Sequence, residues 1–208
     1  MISLSDFIQP FPIPLEIIGG LQPWEITGDL PAIIRKLLAY LDDQYTLDRG
    51  IAIHHTATIE NGAVIKSPAI IGRHCFVGSH AYLREGVFLA ESVSIGPGCE
   101  IKASVIGQGS SLAHFNFIGN SIIGNRVNFE AGSVIANHYN ERTNKRIFVF
   151  HQAERMDTGT EKFGALAGDD CKIGANAVLS PGTVLKPFSV VKRLELIDQL
   201  PPGDLEIT

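Results

Sequence analysis

Two cations and an imidazole stand out by their spacing. Arg84 and Lys102 lie 18 residues apart, in YLREG and EIKAS, and each directly follows an aliphatic residue. His114 comes next, in SSLAHFNFIG, and Phe117, Asn128 and Asn137 follow it. A pair of cations brought together can hold an anion, most simply a phosphate, between them. At about 5 Å the bare pair would repel by roughly 3 kcal/mol at an effective dielectric of 20. Splaying both side chains into solvent would remove most of that cost, and spacing alone leaves both arrangements open. An imidazole titrates near neutral pH and suits proton transfer, although a lone surface histidine is more often merely solvated. Phe117, Asn128 and Asn137 would add contact area and amide hydrogen bonds. All of this depends on an architecture that sets residues 18 apart face to face.

The repeat supplies one. Ile53, Ile59, Ile65, Ile71, Val77, Leu83, Leu89, Ile95 and Ile101 are aliphatic at steps of six. After a five-residue step the series resumes at Ile106, Leu112 and Ile118 and runs on through Ile123 and Phe129 to Ile135. A second array comprises Ala167, Ile173, Leu179, Leu185 and Val191. Four residues after many key positions stands a small or β-branched residue, and glycine often follows the key position directly. A helical period of 3.6 would scatter this series over several faces. Three short strands per coil of about 18 residues explain it, with the coils stacked about 4.8 Å apart and the aliphatics inside a narrow prism. The spacing therefore predicts an all-β solenoid in which Arg84 and Lys102 share a face one coil apart. His114 is placed on the strand leading to the corner of that face, with Ala131 as its equivalent one coil on. Cys75, Cys99 and Cys171 occupy small-residue slots, which assigns them to packing.

Two segments fall outside the repeat. Asp29 is a candidate N-cap for a helix whose apolar face is Ile33, Ile34, Leu37, Leu38 and Leu41, with Pro31 in its first turn. Such a helix is expected to cross the open first coil as a cap. Residues 140–163 break the six-residue step, are rich in charge, and carry one strand-like run at Ile147–Phe150. They read as an excursion projecting from the prism. The expected organisation is a linker and capping helix over 1–50 and a β-helix domain over 51–208.

Composition excludes several classes. A net charge of −5 and a pI near 5.8 give no basic footprint for nucleic acid or an anionic membrane. The N-terminus MISLSDFIQPFPIP has no Lys or Arg and does not read as a signal peptide. No apolar run reaches the roughly 18 residues of a membrane span. Three cysteines without a CxxC spacing suggest reduced thiols and a cytoplasmic location.

The six-residue pattern resembles the hexapeptide-repeat proteins, which implies a left-handed parallel β-helix and a homotrimer. YLREGVFL, EIKASVIGQGSSLAHFNFIG and NSIIGNRVNFEAGSVIAN resemble a more specific family. This is the acetyltransferase half of the bifunctional sugar-1-phosphate nucleotidylyltransferase/acetyltransferases, over roughly residues 50–192. KFGALAGDDCKIGANAVLSPGTVL looks like members with an extended loop. The resemblance implies acetyl transfer from acetyl-CoA to the amine of an amino-sugar 1-phosphate, with no metal and no covalent enzyme intermediate. It implies that Arg84 and Lys102 bind the sugar phosphate, that His114 is the catalytic base and that Asn128 binds the sugar. The Ala131 amide would meet the acetyl thioester, with Asn137 beside the reacting amine. Lys145, or Arg146, would reach into a neighbouring subunit's site. Acetyl-CoA would lie along residues 165–191, near Ala175 and between subunits.

Three positions depart from that family. Phe117 replaces the usual tyrosine, His138 a tyrosine or leucine, and Ala175 a serine near the coenzyme. The 50 residues before the repeat are expected not to house the nucleotidylyltransferase half, and Pro23–Ile26 resembles the linker to it. A stand-alone enzyme, or one beside a separate nucleotidylyltransferase, follows as the expectation. Two rival readings are a non-catalytic sugar-phosphate-sensing or assembly module and a zinc carbonic anhydrase of hexapeptide type. Against the zinc reading, His74 and His80 are six residues apart on adjacent prism faces, and position 119 is glycine where an H-x4-H motif needs its second histidine.

Overall fold

The structure, a computed structural model, describes residues 1–198. Its body is a parallel β-solenoid of about eight turns. Each coil contributes a short strand to each of three faces. The first face stacks Val64–Ile65, the start of Tyr82–Leu89, the start of Glu100–Ile106, Phe117–Gly119, Val134–Ile135, Val178–Leu179 and Leu196–Ile197. The second stacks Ile51–His54, Ala69–Ile71, the ends of the two long strands, Ile122–Ile123, Ala165–Ala167 and Thr183–Leu185. The third runs from Thr58–Ile59 through Ser111–Leu112 and Asn128–Phe129 to Val190–Val191.

The six-residue aliphatics fill the prism as one core, from Ile71 and Val77 through Ile101 and Phe129 to Val191. The three cysteines are free and buried in this core, and burial pushes the Cys75 thiol up to about 11. Glycine after a key aliphatic has a steric cause. A Cβ on Gly96 would lie 1.4 Å from the Ala113 carbonyl oxygen of the next coil. The five-residue step also has a cause. Arg84 pairs with Lys102 and Val87 with Ser104, so Glu85 and Gly86 oppose Ala103 alone. This β-bulge is one extra residue, and its loss in the next coil shortens the repeat.

The N-terminal segment differs from expectation. The helix is Pro23–Leu37, so it starts before Asp29, and Pro31 lies inside it. Gln22 and Glu25 form a reciprocal capping box and Pro23 occupies the first turn, an initiation signal stronger than an isolated aspartate. Pro23–Ile26 is therefore the helix's first turn. The helix does not cross the open coil. It lies along the second face, where Trp24, Ile26, Leu30, Ile33 and Ile34 pack on outward-facing Ala52, Ile70, Val105 and Ile122. An apolar outer face must be covered, and a helix along it buries more than one across the narrow prism end. At the first coil, Tyr45–Asp48 pairs antiparallel with the edge of Ile51–His54 instead.

The 140–163 excursion folds back as well. Phe148–His151 and Glu154–Asp157 form an antiparallel hairpin. Ile147, Val149 and Phe163 join the second-face core, and Phe163 meets Trp24 edge-on at 6.0 Å. These buried apolar side chains hold it against the prism, which corrects the projecting loop expected from its charge. Asp169 ties the N-terminus down by accepting Gln9 N–H at 3.0 Å and Asn125 N–H at 2.7 Å.

Candidate functional site

The second face is covered, so the chemistry is left to the first and third faces and the edge between them. On the first face, outward positions at one register are Lys66, Arg84, Lys102 and Gly119, on successive coils. The register sets Arg84 directly opposite Lys102, as their spacing requires. Lys102 is 8% exposed. The two cations neither splay apart nor face each other bare. Glu85 bridges them, in close contact with Arg84 Nη1 and 3.3 Å from Lys102 Nζ. Glu100 accepts from Arg84 Nε at 2.7 Å. Burial works against the Arg84 charge, but Glu100 and Glu85 outweigh it and raise its pKa.

Gly119 is the close-packed point of this face. A Cβ there would lie 2.8 Å from Asn137 Cγ and 2.9 Å from Phe117 Cε1. Phe117, Asn137 and the register neighbour Lys102 thus gather around one glycine. Asn137 is buried and donates Nδ2–H to Asn120 Oδ1 at 2.6 Å, leaving Oδ1 3.3 Å from His138 Nδ1. His138 enters the site this way. It appeared in the sequence only as a substitution beside an asparagine.

His114 sits at the other end of the strand Phe117–Gly119, in the corner turn after Ser111–Leu112 rather than on a strand. The chain turns there because Phe115 takes a left-handed φ of 55° with its ring over Gly98. The imidazole is exposed, and the His114 carbonyl accepts Gly132 N–H at 2.8 Å. Ala131 and Ala175 stack on the same edge: Asn176 N–H donates to Ala131 O at 3.0 Å and Leu194 N–H to Ala175 O at 3.0 Å. The two alanines differ in one respect. Ala131 N–H makes no hydrogen bond among the described residues, whereas Ala175 N–H donates to Glu130 Oε2 at 2.9 Å. Glu130 also pairs with Arg193, and that pairing with the Ala175 amide lowers its pKa.

Asn128 lies on the third face, exposed, in a cleft of about 490 Å³ shared with Glu130, Lys172, Lys192 and Arg193. Within one chain it is on the far side of the His114 edge from Lys102. Lys145 precedes the hairpin that packs on the second face, and Arg146 is engaged by Asp157 at 2.7 Å. A single chain thus gathers Arg84, Lys102, Phe117 and Asn137 on one face and His114, Ala131 and Ala175 on its edge. Lys66, Glu85 and Glu100 were missed. Lys66 precedes Arg84 by the same 18 residues that separate Arg84 from Lys102, and that signal was available in the sequence. Among the described residues no three His, Cys, Asp or Glu side chains group to hold a metal, and no helix is long and apolar enough to cross a membrane.

Residues 48–149 match the GMPPB C-terminal domain and residues 167–191 the hexapeptide repeat of succinyl-transferase. The chain is 35% identical over 96 residues to a bifunctional sugar-1-phosphate nucleotidylyltransferase/acetyltransferase of Sulfurisphaera tokodaii, covering 46% of this chain and 23% of that protein. It is 32% identical over 114 residues to the bifunctional protein GlmU of Clostridium tetani, covering 54% of this chain and 21% of the relative. The chain thus spans under a quarter of the length of these curated relatives. A hexapeptide transferase family protein from Anaplasma phagocytophilum aligns over 71% of this chain and 74% of its own, at 19% identity and a TM-score of 0.38. Its repeat and its parallel coils make this chain a hexapeptide-repeat solenoid, similar over about half its length to sugar-1-phosphate nucleotidylyltransferase/acetyltransferases.

Proposed function

We propose that this chain transfers an acetyl group from acetyl-CoA to the amine of an amino-sugar 1-phosphate. The observation that carries the reading is the pairing of Arg84 with Lys102 on a face whose edge presents His114 and an Ala131 N–H that is unbonded among the described residues. The phosphate binds at the two cations, and the sugar extends along Phe117 toward the edge. From Gly119, opposite Lys102, the backbone reaches His114 in five residues, at most about 16 Å when extended. Two long side chains and the sugar between them bridge that interval.

The amine lone pair attacks the thioester carbonyl as His114 takes the amine proton. The carbonyl oxygen becomes an oxyanion, which accepts from Ala131 N–H at the edge, while Asn137, beside Gly119, lies on the sugar's side of the site. Collapse breaks the C–S bond, and the imidazolium returns the proton to the CoA thiolate. Lys172, Lys192 and Arg193 beside Ala175 suit the coenzyme's phosphates, and its donation to Glu130 leaves the Ala175 amide committed to the protein.

The active unit of this proposal is a homotrimer. Val64, Tyr82, Val178 and Leu196 stand at the two ends of one outward row on the first face, with Glu100, Phe117 and Val134 between them, and are 43, 36, 37 and 62% exposed. A second copy on that row would exclude water from the clamp and bring in Lys145 or Asn128 from its own surface. The test is CoA thiol release with glucosamine 1-phosphate, galactosamine 1-phosphate and the unphosphorylated amino sugars. Release that requires both the amine and the phosphate supports the proposal. No release with any amino-sugar phosphate would overturn it.

A further inference from the structure

The anion seat between Arg84 and Lys102 already contains an anion that belongs to the protein. Glu85 contacts Arg84 and lies 3.3 Å from Lys102 Nζ. The fold places it there by a deliberate irregularity. Glu85 and Gly86 are the bulge, with φ of 58° and 94°. A left-handed φ is unfavourable for glutamate, so the surroundings must hold it. The helix does so from behind, because a Cβ on Gly86 would lie only 3.1 Å from Pro31 N. One coil to the other side of Arg84 stands Lys66, exposed and without an ion pair among the described residues. Lys66, Arg84 and Glu85 border one open cavity of about 510 Å³. Three cations therefore share two carboxylates, and the unpaired one is Lys66.

Resting on the clamp reading above, we propose that Glu85 is the specificity residue of the phosphate site. It is a built-in carboxylate that a phosphate monoester displaces from Arg84 and Lys102 and that then settles on Lys66. The swing is one coil, about 4.8 Å. A phosphate monoester carries about −1.5 to −2 charge and three acceptor oxygens, so it outcompetes a tethered carboxylate. A sugar carboxylate, with one charge and two oxygens, does not. The seat thus selects phosphorylated over carboxylated amino sugars without a steric filter. Because Glu85 is half exposed, its effect is moderate.

The test is calorimetric binding of glucosamine 1-phosphate and of glucuronate to the full chain and its variants. Glu85→Gln keeps the side chain's shape and removes its charge. It is expected to tighten glucosamine 1-phosphate binding by roughly five- to tenfold and to make glucuronate binding measurable. Lys66→Ala is expected to weaken glucosamine 1-phosphate binding by about threefold in the parent chain and not at all in the Glu85→Gln background. Unchanged or weaker phosphate binding in Glu85→Gln would overturn the proposal, since Glu85 would then only brace Arg84. An equal loss from Lys66→Ala in both backgrounds would overturn the swing, because Lys66 would be binding phosphate directly. Lys102→Ala separates this inference from the clamp reading. If it leaves phosphate binding intact, the clamp itself fails. If it weakens binding while Glu85→Gln changes nothing, only the role of Glu85 fails.

Discussion

Replacing His114 by alanine tests the proposed chemistry most directly, because the structure gives its ring no part in holding the fold. The imidazole is exposed, outside both cores, and the residue's hydrogen bond with Gly132 runs through its backbone carbonyl. The corner is set by the neighbouring Phe115 and its contact with Gly98. Removing the ring therefore deletes no buried contact, and stability should change by no more than about 0.5 kcal/mol. If His114 accepts the amine proton, its loss should slow acetyl transfer by roughly 10²–10⁴-fold, about 2.7–5.4 kcal/mol on the barrier. The phosphate clamp stays intact, so substrate affinity should hold. The assay is thiol release from acetyl-CoA across pH 6–9 (a range of about three units around neutrality), with thermal unfolding followed in parallel. Raising the pH should recover part of the lost rate, because solvent then deprotonates the amine unaided. Wild-type turnover by the variant near neutral pH would refute the mechanism. Loss of activity with loss of fold would refute the claim that the corner is independent of the ring.

Arg84→Ala and Lys102→Ala should each weaken amino-sugar phosphate binding by about 1.5–3 kcal/mol while leaving acetyl-CoA binding nearly unchanged, as titration of each ligand would show. Gly96→Ala should destabilise the solenoid by about 3 kcal/mol or more, because its Cβ would lie 1.4 Å from Ala113 O; a melting temperature within a degree or so of wild type would contradict this. Cys75, Cys99 and Cys171 are buried, and burial raises each thiol pKa, so a thiol reagent at mildly alkaline pH should find them only after denaturation. The same shift predicts a pH effect. Above the ordinary thiol range the unfolded chain ionises, while folded Cys75 stays protonated until about 11, so stability should fall as pH rises through that window in denaturant titrations.

The sequence by itself determined the solenoid and the vertical alignment of its chemistry. Coil length is fixed by where aliphatics must point inward, so Arg84 over Lys102 and His114 before Ala131 follow from counting. Those relations are local to adjacent coils, and the period carries them. Tertiary structure decided whatever depends on contacts without a period. Asp29 has the residue type of a cap, but Gln22 and Glu25 meet only when Pro23 starts a turn, and the helix follows the apolar second face instead of the open end. The charges of residues 140–163 read as solvated, whereas Ile147, Val149 and Phe163 hold that segment against the prism. The state of the clamp was the least legible feature. Two cations at coil spacing leave their occupant open, and only the bulge at Glu85 and Gly86, backed by Pro31, sets a carboxylate between them.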